Sequence, residues 1–348
     1  MTLGTVVVEA SNGVLFDNGQ QTVLLCPPQH GGNYTVPSTV NTIAAGAFDH
    51  GAITGLTVPA SVTDIQGGAF YACTALRSVT LSEGLRRIDN LGFYGCTALP
   101  SIAIPNSVTN INGAFDSCAG LTNATLGTNL VDIGGAFRLC DHLQSIIVPE
   151  TVTDLGDLTF AGCERLSSVQ LPAGLVRIGS GAFSQCAMTN LALPNGLQTI
   201  ERYAFEFCTL LQISTVPGTV TNIAQFAFRE CYSIGHMDVP DSVVRLGESV
   251  FNHCINLASA TIGKGLNTID LTPFSGCGAL NDITVDPQNA TFSSLDGVLF
   301  DKEKTQLLCY PPHATVERTA WHAQPERPKP ELFPERQQQP HGNRGEPK

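Results

Sequence analysis

Positive charge is scarce in this 348-residue chain: Lys and Arg number 18 against 30 Asp and Glu, a formal net charge of -12. Over the first 312 residues the imbalance steepens to twelve cations against twenty-five acids. A nucleic-acid partner needs a basic stripe to displace counterions, so DNA and RNA are excluded and a cationic or neutral partner is expected. No apolar run approaches the roughly eighteen residues of a membrane span. The opening MTLGTVVVEASNG has neither the basic region nor the apolar length of a secretory leader, which leaves a cytosolic chain or one without its true N-terminus. There is no Walker A motif, no Gly-x-Gly-x-x-Gly after a strand, no His-Glu-x-x-His and no Cys-x-x-Cys pair. Nucleotide, zinc-protease and closed zinc sites lack support, and no cofactor or metal is expected.

What the chain has instead is a beat. Phe recurs every twenty-two or twenty-three residues from Phe48 through Phe274, and from Phe70 onward each is followed three residues later by Cys, Cys73 to Cys277. Gly51 alone breaks the cysteine series. A period in the twenties with leucines at fixed offsets and one strand per period predicts a mostly β leucine-rich-repeat solenoid, because each unit buries its apolar face only against its neighbours. In Leu76 to Cys96, Leu76, Val79 and Leu81 form the inward set of the first strand, Leu85 and Ile88 a second apolar pair, and Phe93 and Cys96 close the turn. Pro follows most equivalents of Leu81, where its missing N–H stops the ladder and lets the chain turn. The Gly-Ala-Phe segments at Gly46, Gly113, Gly135 and Gly181 suit a tight bend or a single helical turn. The expected form is a right-handed superhelix with parallel strands on the concave face and short turns or single helical turns on the convex face. Ser214 replaces the Val79 equivalent, which predicts a bulge or slip in that turn.

Two near-copies bracket the array. NGVLFDNGQQTVLLCPP (12–28) and DGVLFDKEKTQLLCYPP (296–312) each place two apolar runs around a turn and read as hairpins. The predicted organisation is an N-terminal hairpin cap over 1–33, eleven turns over 34–286, a C-terminal hairpin over 287–312 and a disordered Pro/Arg/Gln-rich tail over 313–348. Asn33, Asn123 and Asn289 head glycosylation-type triplets, a number expected by chance in an Asn- and Thr-rich chain.

Units such as LRSVTLSEGLRRIDNLGFYGC (76–96) and LASATIGKGLNTIDLTPFSGC (257–277), with the hairpin block 296–312, resemble the BspA-like leucine-rich repeats of bacterial and some protozoan surface proteins. The resemblance covers residues 9–312. It implies an exported, non-enzymatic adhesion or recognition protein without a cofactor. The alternative is a soluble intracellular interaction scaffold, favoured by the absent leader and the cysteine usage.

Adjacent turns would bring the cysteines within disulfide range, yet an in-register row gives each thiol no unique mate, so free buried thiols acting as small hydrophobes are expected. No fixed catalytic triad is legible. His236 and Asp238 share the outer side of one strand, with Asp282 two turns on; a solvated polar face is the favoured reading, and an acidic recognition patch the sharper one. The outward strand positions are mostly hydroxyls and amides. Thr57, Thr80, Thr125, Gln170, His236, Asp238, Thr261, Asp282 and Thr284 are the candidate partner-binding residues, for a protein or glycan surface met by a monomer. Cross-strand Thr pairs also support the sheet, which explains part of this row without a ligand.

Overall fold

The computed structural model of the chain describes residues 9–11 and 13–314; the tail expected from residue 313 falls outside them beyond Ala314. Among the described residues there are strands and turns but no helix. The chain winds as a solenoid of about eleven turns, one for each Phe from Phe48 to Phe274. Each turn has three sides, each hydrogen-bonded to neighbouring turns along most of the array.

The first side carries the longer parallel strands. Gly32–Thr35, Ile53–Val58 and Ser78–Leu81 form one ladder, Ser101–Ala103 through Ser168–Gln170 a second, and His236–Val239, Ser259–Ile262 and Asp282–Val285 a third. Successive side chains alternate across a strand, so Ile102, Ala124 and Ile146 are buried while the Ser, Asn and Thr beside them face water. The column lapses over the turns of Leu191 and Ile213, where the exposed Ser214 cannot anchor a strand. A single bridge from Thr215 to Asp238, with Val216 buried, restores the register. The lapse includes the Ser214 turn, as expected, but begins one turn earlier at Leu191, where the aliphatic residue is kept.

The second side repeats two-residue strands such as Thr42–Ile43, Arg87–Ile88 and Arg177–Ile178, each with its aliphatic residue buried and its polar residue outward. The third side holds the Phe column. Ten successive ring pairs from Phe48 to Phe274 stack with centroids 4.8–5.9 Å apart and planes within 22°. Burying one such ring contributes roughly 1.5–3 kcal/mol, so the column, with the buried aliphatic columns beside it, holds the turns together.

The Gly-Ala-Phe segment is a tight bend rather than a helical turn. In each turn the residues two before and two after the Phe are left-handed, with φ between 51 and 75°. Two left-handed residues four positions apart cannot belong to a right-handed helix. They turn the backbone so that the Phe N–H donates to the following turn, as from Phe93 to the Ala114 carbonyl at 2.8 Å.

All twelve cysteines are free, and the ten of the ladder are buried. Their role exceeds the expected one of small hydrophobes. Each ladder thiol donates to the Phe carbonyl of the turn before it, from Cys73 to Phe48 at 2.9 Å through Cys277 to Phe251 at 3.1 Å. The same carbonyl accepts the backbone N–H of its own turn's Cys, as from Cys140 to Phe137 at 3.2 Å. Two donors fill both lone pairs of a buried acceptor, which leaves no orphan.

At the ends, Val14–Phe16 and Thr22–Leu25 pair antiparallel, as do Val298–Asp301 and Leu307–Cys309, with register shifts at the matching places Leu15/Phe16 and Leu299/Phe300. Thr22–Leu25 continues into the array by pairing with Thr42–Ile43. Asn289 is fully buried, its amide donating to the carbonyls of Gly263 and Leu266 and its oxygen accepting from the Thr291 and Phe292 N–H groups. Its side chain ties the last turn to the hairpin and cannot serve as a glycosylation acceptor in the folded chain.

Candidate functional site

The outward row of the strand side holds the nine candidate residues. Thr57 and Thr80 are direct register partners. Thr125 and Gln170 lie in the middle ladder, separated by the strand of the exposed Ile147. The other five come together in the last ladder, where Asp238 faces Thr261 and Thr261 faces Thr284, while His236 faces Ser259 and Ser259 faces Asp282. The lapse at Leu191 and Ile213 therefore divides the row: Thr57 to Gln170 precede it and His236 to Thr284 follow it.

In the last ladder four polar side chains on two neighbouring strands form a connected network, with a separate pair on the third strand. His236 Nδ1 lies 2.7 Å from Ser259 Oγ, and its Nε2 lies 2.8 Å from Asp238 Oδ1. The Thr261 hydroxyl donates to the same carboxylate oxygen, and Thr284 Oγ1 donates to Asp282 Oδ2 at 3.0 Å. The Thr261 hydroxyl and then His236 hold the Asp238 carboxyl below its ordinary range. Ser259 is the residue that sequence reasoning missed as a partner of His236. It sits one period away, and only strand register joins them.

A Ser, a His and an Asp in hydrogen-bonded order have the parts of a nucleophilic relay. Here the geometry does not support one. The His236 and Asp238 side chains are 40% and 53% exposed, so water surrounds the network, and the neighbouring strand amides are engaged in the ladder instead of converging on an oxyanion. The network instead fixes the rotamers of an outward polar surface. No group of three or more His, Cys, Asp or Glu stands ready to hold a metal ion among the described residues. No helix among them is long and apolar enough to cross a membrane.

An all-strand solenoid with one Phe and one Cys per turn defines a repeat protein of the leucine-rich class. Six copies of the BspA-type leucine-rich repeat region match the chain, over residues 41–163, 135–254 and 176–304, and the chain belongs to that family. Among solved structures it is similar to a leucine-rich cell surface protein of Faecalibacterium prausnitzii A2-165, at 21% identity over 91% of this chain and 97% of the other, with a TM-score of 0.49. It is also similar to a leucine-rich repeat protein of Treponema pallidum, at 32% identity over 47% of this chain and 85% of the other, TM-score 0.43. A third similarity is to the pneumococcal vaccine antigen PcpA, at 16% identity over 84% of this chain and 92% of the other, TM-score 0.48. No curated protein matches the sequence.

Proposed function

We propose that the protein is a non-enzymatic binding module that recognises a protein or glycan surface through its strand-lined side, taken as the concave face of a right-handed superhelix. The observation that carries this reading is the four-residue network of His236, Asp238, Ser259 and Thr261 with the Asp282–Thr284 pair beside it, in which hydrogen bonds orient six polar side chains on one outward sheet. Fixed side chains lose little conformational entropy on binding, which favours affinity on an otherwise shallow surface. Extended, shallow faces suit macromolecules, whereas small substrates prefer closed pockets. The terminal hairpins serve in this reading as caps over the first and last turns, and adhesion to an extracellular partner is the use that the family favours. The same face would serve an intracellular interaction scaffold.

The test is a binding screen against extracellular-matrix proteins and glycans, run in parallel on the Asp238→Ala and Asp282→Ala variants. A ligand whose affinity falls at least tenfold in both variants supports the reading. A ligand bound equally by all three proteins places recognition elsewhere.

A further inference from the structure

On the side of the Phe column, away from the strand row, the solenoid stops one partner short. In each of the ten turns from Phe48 to Phe251, the Phe N–H donates to the carbonyl just before the next Phe, and the N–H two residues on donates to the carbonyl just after it. The last such pair runs from Phe251 to Pro273 at 2.9 Å and from His253 to Ser275 at 2.8 Å. The Phe carbonyl takes the thiol of the next turn, and the next ring stacks on the Phe face, as Cys277 and Phe274 do at Phe251. Every one of these ten seats is therefore filled by the same strip of its neighbour, a Phe between two accepting carbonyls with a Cys three residues on.

Phe274 forms an eleventh seat. Thr272 and Gly276, two residues to either side, adopt φ of 51° and 75°, so the bend is built as in the turns before it. Among the described residues, neither the Phe274 N–H nor the Gly276 N–H has an acceptor. The Phe274 carbonyl takes the Cys277 N–H at 3.2 Å but no thiol from a following turn. Its ring is 5% exposed where the ten before it are fully buried. The C-terminal hairpin covers the strand side, where the Ile283 N–H donates to the Gly297 carbonyl at 3.0 Å and the Val285 N–H to Ser294 Oγ at 2.9 Å. At the Phe column it leaves a groove of about 370 Å³, lined by Pro273, Phe274 and Leu280 of the last turn and by Leu308, Tyr310 and Pro312.

The ten filled seats define what the eleventh accepts. Two N–H groups two residues apart match the carbonyls on either side of one side chain, the open ring face matches an aromatic ring at that side chain, and the spare carbonyl lone pair matches a thiol three residues on. Main-chain bonds of this kind give a docked segment its affinity, and the side-chain pocket gives it specificity. A hydrocarbon chain in the same groove would leave both N–H groups without a partner, a cost that a peptide avoids.

We propose that this seat docks a segment of another protein that carries a small residue followed by Phe-x-x-Cys, the strip of a leucine-rich-repeat turn. Its Phe lies on the Phe274 ring, the carbonyls flanking that Phe accept from the Phe274 and Gly276 N–H groups, and its thiol donates to the Phe274 carbonyl. The probe is the acetylated, amidated peptide GSGAFSQCAMTN, the sequence of residues 179–190, added under reductant to the full chain beside its Phe183→Ala analogue. Binding is read by anisotropy of the labelled peptide and by amide hydrogen exchange resolved by residue. The peptide should bind and the analogue should bind at least about tenfold more weakly. Protection should rise at the Phe274 and Gly276 amides and stay unchanged at those of Phe251 and His253, which already have acceptors. In the protein, Phe274→Leu keeps an aliphatic group in the column and should weaken the peptide about fivefold, whereas Asp238→Ala and Asp282→Ala should leave it unchanged. Equal binding of peptide and analogue, or added protection that spares Phe274 and Gly276, would overturn the proposal. So would a full chain that binds no peptide: Phe274 and Gly276 amides already protected there would assign the seat to residues 315–348 of the same molecule, and unprotected ones would show that it docks nothing of this kind.

Discussion

Raising the pH should dismantle this fold from its interior. Burial pushes the thiols of Cys73, Cys163, Cys208 and Cys277 from the ordinary 9.0 up to about 12. Between those values the unfolded chain has released protons that the folded chain still holds. Stability from these groups is therefore complete below pH 9 and is lost as pH rises toward 12. At pH 10 each such thiol favours unfolding by about 1.4 kcal/mol, and the four together by about 6 kcal/mol, within the roughly 5–15 kcal/mol that holds a typical domain folded. Urea midpoints followed by far-UV circular dichroism at pH 8, 9, 10 and 10.5 should fall steeply above pH 9. Other groups titrate in the same range, so the thiol share needs its own control. In the Cys163→Ala/Cys208→Ala double variant, the loss per pH unit should shrink by about 2.7 kcal/mol relative to the parent chain. Equal midpoints at pH 8 and 10, or equal slopes in parent and variant, would refute the claim that these thiols are buried protonated donors.

Phe160 is fully buried between two stacked rings while Phe274 has one ring neighbour, so Phe160→Ala should cost about 3–5 kcal/mol and Phe274→Ala roughly half as much, read as urea midpoints. The Phe160 change should also split the transition or lower its m-value by uncoupling the two halves of the array; a single unchanged transition in both variants would count against the column as the adhesive. At the left-handed Gly156, an added Cβ would stand 2.5 Å from the Gly134 Cα, so Gly156→Ala should destabilise by more than the roughly 1–2 kcal/mol of handedness alone, measured by thermal melting. At Leu158, which adopts φ 57°, substitution by Gly should leave stability unchanged or raise it by up to about 1 kcal/mol, whereas a large loss would show the conformation to be unstrained. The Asp17 carboxyl, lowered chiefly by the Thr22 N–H, keeps its hairpin contribution above the ordinary value of 3.8 and loses it as pH falls through its folded value. Hydrogen-exchange protection at Gln21 and Thr22, relative to the intrinsic rate at each pH, should then fall in acid, and Asp17→Asn should remove that pH dependence.

Most of the architecture was legible because its signal repeats. Ten spacings of twenty-two or twenty-three residues leave little freedom for Phe48 to Phe274, and one irregular residue, Ser214, marked the second of the two turns in which the strand column lapses. The left-handed bends were only half visible. Gly46, Gly68, Gly113, Gly135 and Gly181 advertise them, but Leu158, Tyr203 and Phe226 adopt the same backbone while looking like ordinary residues, which is why a helical turn remained among the expectations. The hydrogen-bonding role of the cysteines was hidden because each acceptor lies a full period away. Register likewise hid Ser259 from His236.

The doubly occupied Phe carbonyl also bears on how such a gene can change length. Its two donors come from its own turn and from the next, and nothing at the joint depends on which particular turn that is. Removing or inserting one whole period brings an equivalent thiol to an equivalent oxygen, while an excision of half a period strands both. Tandem recombination between copies can therefore lengthen or shorten the rod in whole steps and still yield a chain that folds.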